Sequence, residues 1–295
     1  HIIRQAAAMG KNPVTGIRIA TIQAAEYYGL RRTGAVAPGY QADLLVLDDL
    51  ERVLVRDVYQ NGRKVVSEGR LLPFPEPEGK QELTQTVLHS FRLRELEPED
   101  FLVKERGVCS CRVIGILQDQ LLTEERVRKI DFDRRNGIDT GRDLIKTAVI
   151  ERHRNTGHTG LGFMEGTGIQ YGAIASSVSH DSHNLIVMGA DEKDMAFAAN
   201  RIRSLGGGMA VVREGKVEAE MPLPYAGLMT DRTAAEAASQ NEQVRAALRK
   251  LGVPENRELF MTTAFVSLPV IPHLKLTTRG LVDVDRQKLV PLITG

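Results

Sequence analysis

The sequence predicts an α+β chain with a small N-terminal unit and a larger mixed domain behind it. Three observations carry this reading. Apolar residues at helical spacing near the N-terminus give way, from Arg32, to short strand-like runs. Pro73, Pro75, Pro77 and Gly79 then break the pattern within seven residues, as a linker or boundary does. From about residue 85 onward, strands and helices alternate irregularly, which favours α+β over a wound parallel sheet.

The elements follow in order. Residues 2–9 read as a short helix. Asn12-Pro13 offers an N-cap followed by proline at the first helical position. Ile17, Ala20, Thr21, Ala24 and Tyr28 continue at helical spacing to a stop at Gly29, with little nearby to cover this stripe. Residues 37–40 form a turn and Leu44 to Leu47 a buried strand. Val53 to Tyr59 and Lys64 to Val66 flank Asn61-Gly62, a strong hairpin signal. In the larger part, Val113 to Leu117 and Lys146 to Ile150 read as core strands. Glu124 to Arg135 carries mixed charge and reads as a solvated strand or loop. Gly157 to Gly172 reads as a glycine-rich loop. Asp191 opens a helix with Asp194 in a box-like position. Met195, Ala198, Ala199, Ile202 and Leu205 form its apolar stripe, and Gly206 to Gly208 end it. A hairpin turns at Glu214-Gly215. Thr230-Asp231 caps a further helix running to Leu251, and Phe260 to Val270 is apolar.

Composition narrows the function. The chain has 295 residues, 42% of them hydrophobic and 26% charged, within the globular range. A net charge of +1 gives no bulk electrostatic case for nucleic acid or an anionic membrane. Aromatic residues make up 5% and tryptophan is absent, which disfavours base-stacking platforms. No apolar run reaches the roughly 18 residues of a membrane span. Two cysteines cannot form a disulfide framework, and a reducing cytoplasm fits them best. His1 begins what reads as the middle of a helix, as if the chain opened inside a domain.

The most informative segment is Ala173 to Val187. His180, Asp181, Ser182, His183 and Asn184 lie between two apolar runs. Buried polar groups must find partners, so the cluster is either a site or a hydrogen-bonded turn between strands. As a site, its imidazoles could act as ligands, proton carriers or donors to a heterocycle. Glu151-Arg-His-Arg154 and His158 follow a strand-like run. They could present His153 or Arg152 to a ligand, but a solvated strand end is the preferred reading. Cys109-Ser-Cys111 lacks the Cys-x-x-Cys spacing and second ligand pair of a metal site. Neither Gly206–Gly208, after a helix, nor Gly166-x-Gly168 has the order of a phosphate or dinucleotide cradle.

Residues 34–47, followed by the hairpin Tyr59 to Val65, resemble the segment that closes metal-dependent amidohydrolases. Residues 20–30 are similar to the last helix of their (β/α)8 barrel. Residues 162–166, 176–184, 223–231, 260–272 and 276–284 resemble the C-terminal domain of the bacterial-type adenine deaminases. The resemblance implies barrel-end helices over 1–32, part of a small β-sandwich over 33–75, a linker over 76–90 and the adenine deaminase C-terminal domain over 91–295. It implies an enzyme that converts adenine to hypoxanthine and ammonia, as a homo-oligomer. Two divalent metals, Mn2+ or Fe2+, would activate water there. Their ligands are expected upstream of residue 1, so the chain alone is expected to be inactive. The resemblance points to His180, Asp181, His183, Asn184 and His153 as pocket residues. His180 and His183 are weaker candidates for an additional metal. An amidohydrolase of other specificity and a non-catalytic assembly module are the alternatives.

Overall fold

A computed structural model describes residues 1–73, 87–88, 90–118 and 120–294. The chain divides into two compact units, His1–Gly79 and Lys80–Gly295. The expected linker over 76–90 falls mostly outside the described residues.

In the first unit, α1 (Ile2–Ala8) precedes α2 (Pro13–Arg18). The Asn12 side chain accepts from the Val14 amide at 2.8 Å, as an N-cap should. Helix α2 runs through a π turn, Ile19–Gln23, into α3 (Ala24–Tyr27). The π turn rephases the helix, so the expected stripe is displaced. Ala25 is buried and Ile17 and Ile22 half-buried, while Ala20, Thr21 and Tyr28 are exposed. Gly34 packs on this turn: a Cβ there would lie 2.8 Å from the Ile22 Cα. Strands β1 (Leu44–Asp49), β2 (Leu54–Gln60), β3 (Arg63–Ser67) and β4 (Arg70–Leu71) form an antiparallel sheet in sequence order. Asn61 and Gly62 turn β2 into β3 with φ of 49° and 77°, as the hairpin signal requires.

The second unit is built on an eight-stranded sheet. Its strands are β5 (Val108–Ile116), β6 (Thr123–Asp131), β7 (Leu144–Ile150), β8 (Thr159–Glu165), β9 (Ala173–Ser176), β10 (Leu185–Gly189), β11 (Gly208–Arg213) and β12 (Lys216–Pro222). The order is β12-β11-β9-β10-β7-β8-β5-β6, antiparallel except for the short parallel pairing of β5 with β8. The central strands are buried on both faces, and alternate residues enter different cores. Ile174, Ile186, Met188 and Val211 face one core, where α5 (Ala234–Lys250), α6 (Leu259–Val266) and the hairpin β13 (Leu274–Thr277) and β14 (Gly280–Asp283) cover them. Ala175, Leu185, Val187 and Val212 face the other, under α4 (Glu192–Leu205) and Leu96 and Phe101. Strand β15 (Lys288–Val290) completes a three-stranded sheet with β13 and β14. Burial of each large aliphatic side chain contributes about 1.5–3 kcal/mol.

Four sequence readings are corrected here. The glycine-rich stretch is not a loop throughout: Gly160 and Gly162 lie in β8. A Cβ on Gly160 would sit 1.9 Å from the Thr277 carbonyl oxygen, so glycine permits β13 and β14 to close on the sheet. Glu124 to Arg135 is mainly strand β6, and two of its cations turn inward. Arg126 and Arg128 donate to Glu165 of β8, which is 7% exposed, at 3.2, 2.7 and 2.9 Å. Helix α5 is capped by Thr233, not Thr230-Asp231; Thr233 and Glu236 form a reciprocal capping box. At α4, Asp191 accepts from the Asp194 amide as expected, but Asp194 turns to the Glu214 and Gly215 amides instead of closing a box.

Candidate functional site

The polar cluster is the connection between β9 and β10, which pair from Ile186↔Ser176 to Gly189↔Ala173. Both strands are fully buried, so the connection must emerge at one end of the sheet. Several bonds fix it. The His180 amide donates to the Ala264 carbonyl of α6 at 2.8 Å, and Ser267 Oγ donates to the His180 carbonyl at 3.1 Å. Ser179 and Ser267 share a hydroxyl–hydroxyl hydrogen bond. The His183 amide donates to the Ser179 carbonyl at 2.6 Å while His183 itself takes a left-handed φ of 49°. The His180 ring lies on Phe265, centroids 4.6 Å apart, and edge-on to the His183 ring at 5.9 Å.

The turn after β7 meets this loop. Glu151 accepts the backbone amides of His153, Arg154 and Thr156 at 2.6–2.9 Å. Burial opposes its ionisation, but these amides outweigh that and hold it at about 2. His153 Nε2 donates to the Ser182 carbonyl at 2.8 Å, which joins it to the cluster. His158 stays on the exposed surface.

Arg152 is 1% exposed, so the solvated reading of this strand end fails for Arg152, whereas His153, Arg154 and His158 are exposed as that reading has them. Its Nε donates to the His183 carbonyl at 2.6 Å and its Nη2 to the Ala226 carbonyl at 2.9 Å. The guanidinium lies over the Phe91 ring at 4.8 Å. Burial lowers its pKa to about 10, and Glu151 opposes that. The sequence held one signal for this role, the position of Arg152 two residues after an apolar run. Ser179 and Ser267 carried none.

The loop forms one side of a hollow of about 440 Å³. Asp181, Ser182 and Asn184 face Leu268, Pro269 and Val270 across it. Asn184 is 9% exposed and its Oδ1 has no hydrogen-bond partner; His183 Nδ1 and Arg152 Nη1 are likewise buried and unpartnered. Burial, then His180 and Arg152, lowers the His183 pKa and favours its neutral ring. The amide of Asn184, the carboxylate of Asp181 and an apolar wall line the hollow, with the His183 imidazole next to them in the chain but outside the lining, and such groups can hold a flat, polar heterocycle. Among the described residues, no group of three or more His, Cys, Asp or Glu gathers as a metal site. His180 and His183 therefore offer two imidazoles without a third ligand. Cys111 is buried in β5, and burial, Cys109 and Glu105 push its thiol up to about 11, the reverse of a metal-binding thiolate.

Two units of this kind, a helical and β N-terminal segment and an α+β domain with a polar strand connection, match two known families. Residues 3–72 match the amidohydrolase family. Residues 120–288, more than half of the chain, match the adenine deaminase C-terminal domain, and the chain belongs to that family. It is 45% identical over 295 residues to an adenine deaminase of Methanothrix thermoacetophila, covering 99% of this chain and 50% of that protein. Adenine deaminase 2 of Carboxydothermus hydrogenoformans is 40% identical, with the same coverage of each chain. The Geobacillus kaustophilus adenine deaminase is 39% identical over 293 residues, again 99% of this chain and 50% of the relative. The chain thus spans about half the length of the curated relatives it matches.

Proposed function

We propose that this chain is the C-terminal part of an adenine deaminase and that its β9–β10 loop forms one wall of the adenine pocket. The likeness to adenine deaminases along nearly the whole chain supports the reaction class. One observation carries the role of the loop: Asn184, whose Oδ1 is buried and unpartnered, lines a hollow with an apolar opposite side. Adenine is flat, with N–H donors and ring-nitrogen acceptors on its edge. Asn184 Oδ1 would accept from an N–H, a neutral His183 would serve a ring nitrogen or N–H, and Asp181 would sit at the rim. Helices α1 to α3 and the sheet β1–β4 fit the end of an amidohydrolase barrel and a part of its small β-sandwich. In this reading the full-length protein is cytoplasmic and belongs to purine salvage.

Amidohydrolases of this kind use divalent metal to supply hydroxide near neutral pH, here manganese or iron. Among the described residues none gather to fit a binuclear centre, and in this reading its ligands belong to another part of the full-length protein. What the chain's own residues contribute is binding and orientation of the base and exclusion of water from one side of it.

The test is His183→Ala and Asn184→Ala in the full-length enzyme. Each should lower kcat/KM for adenine about tenfold or more at unchanged melting temperature, as loss of a hydrogen bond in a dry site does. A variant that melts early yet turns adenine over normally when folded would make the loop structural. The isolated chain with adenine and manganese should release no ammonia.

A further inference from the structure

A second polar hollow, of about 510 Å³, lies away from the β9–β10 loop, between β6 and the turns that lead into β7. Lys129, Arg134, Arg135 and Arg142 converge on it, with Asp131 and Asp139. Four cations against two carboxylates is a local excess in a chain whose net charge is only +1. Among the described residues no carboxylate pairs with any of the four. Arg135 Nη2 and Arg142 Nη1 donate only to carbonyls, of Ala190 at 2.7 Å and Lys129 at 3.3 Å, which leaves the rest of each guanidinium available.

The rim is built, not merely solvated. Arg135, Asn136 and Gly137 take successive positive φ values of 45°, 44° and 88°, conformations that cost free energy in non-glycine residues. The Asn136 side chain holds the turn there. It exchanges two hydrogen bonds with the Val103 backbone, both 2.8 Å, and accepts from Lys146 Nζ at 2.5 Å. Gly137 seals the floor, since a Cβ there would lie 2.6 Å from Ile130 and 2.8 Å from Phe163. Arg134 and Arg135 are thus presented from a fixed backbone toward Arg142.

We propose that this hollow binds a small phosphate-bearing anion. Guanidinium forks match phosphate oxygens in geometry and charge. Asp131 and Asp139 can accept the O–H of a protonated phosphate or of an attached sugar. The lining carries no aromatic ring for a base to stack on, so the phosphate supplies the recognition.

The experiment is a titration of the chain with inorganic phosphate, AMP and adenosine, followed by amide NMR and calorimetry. Phosphate should bind saturably and shift amides within residues 129–144. Arg142→Glu and Arg134→Glu should each weaken it about tenfold or more, with Arg142→Lys intermediate. Both positions are exposed, so the variants should fold, and a thermal melt of each checks this. AMP binding tighter than phosphate would identify a nucleotide as the source, and equal binding would identify free phosphate. Shifts that do not saturate, binding unchanged in both charge-reversed variants, or adenosine binding as well as AMP would each overturn the proposal.

Discussion

Arg152 donates its Nε–H to the carbonyl oxygen of His183 at 2.6 Å, from a side chain that is 1% exposed. The same guanidinium reaches the Ala226 carbonyl, so one buried cation ties the turn after β7, the β9–β10 loop and the Tyr225–Met229 turn together. A buried charge without a carboxylate partner is costly, and here carbonyl dipoles and an aromatic face offset the cost. Arg152→Met should leave two carbonyls unpartnered and destabilise the domain by about 2–4 kcal/mol in urea unfolding. Arg152→Lys should recover only part of it, because a point charge cannot reach both carbonyls at once. Equal stability of the methionine variant would show that the ties are incidental.

Lys275 on β13 is fully buried, and its ammonium donates to the Leu121 carbonyl at 3.0 Å. Burial lowers its pKa to about 8 from an ordinary 10.5. Below about pH 8 both folded and unfolded chains hold the proton and the folded state bears the full burial cost. Between about 8 and 10.5 the unfolded chain binds more protons than the folded one, so stability rises with pH across that window, by about 3 kcal/mol in all. Lys275→Met should abolish the rise. It should also stabilise the domain near neutral pH by about 2 kcal/mol, after about 1 kcal/mol is lost with the hydrogen bond. Unfolding curves at about pH 7 and about pH 10 check both points.

Gly160→Ala should open the contact between β8 and the β13–β14 hairpin. The added Cβ meets backbone, the Thr277 carbonyl at 1.9 Å and the Gly280 nitrogen at 2.9 Å, so no flexible side chain can yield. A loss of roughly 3 kcal/mol follows, with faster amide exchange confined to residues 274–283. Gly157→Ala is the comparison: it has open space but a φ of 75°, and should cost only about 1–2 kcal/mol.

Glu165→Gln keeps the shape of the β5–β6–β8 contact and removes its central charge. Arg126 crosses above Gly115 to reach that carboxylate, where a Cβ would be 2.4 Å from its Nε. Loss of the charge-assisted bonds should cost about 1.5–3 kcal/mol in thermal unfolding, with little salt dependence because the carboxylate is shielded from ions. A neutral effect would restore the reading of β6 as a solvated charged strand.

Much of the fold was legible where a local rule acts alone. Asn12 caps its helix, Asn61-Gly62 turns its hairpin, and Gly206 ends α4 in the left-handed conformation, each because a few neighbouring backbone groups decide the matter. The rephased stripe of α2 and α3 was not legible, because a π turn held under Gly34 leaves no mark in the spacing. The cap of α5 was misplaced by three residues because Thr230, Asp231 and Thr233 are all competent caps, and the box with Glu236 decides between them.

By itself, then, the sequence determined many of the element types, though not strand β8 in the glycine-rich stretch, the crowding of His180, Asp181, His183 and Asn184 between two buried strands, and the family. Only the tertiary structure decided which charges lie inside. Arg152, Glu165, Lys146 and Lys275 look in the sequence like any surface residue. Their burial depends on carbonyls and side chains as far as 154 positions away in the chain, as with Lys275 and Leu121. Charge burial is settled by the partners that folding brings within about 3 Å, and linear spacing does not record those partners. The same holds for the β9–β10 loop: its residue types were plain, but what bolts it to α6 and leaves Asn184 Oδ1 buried without a partner beside the hollow is visible only in three dimensions.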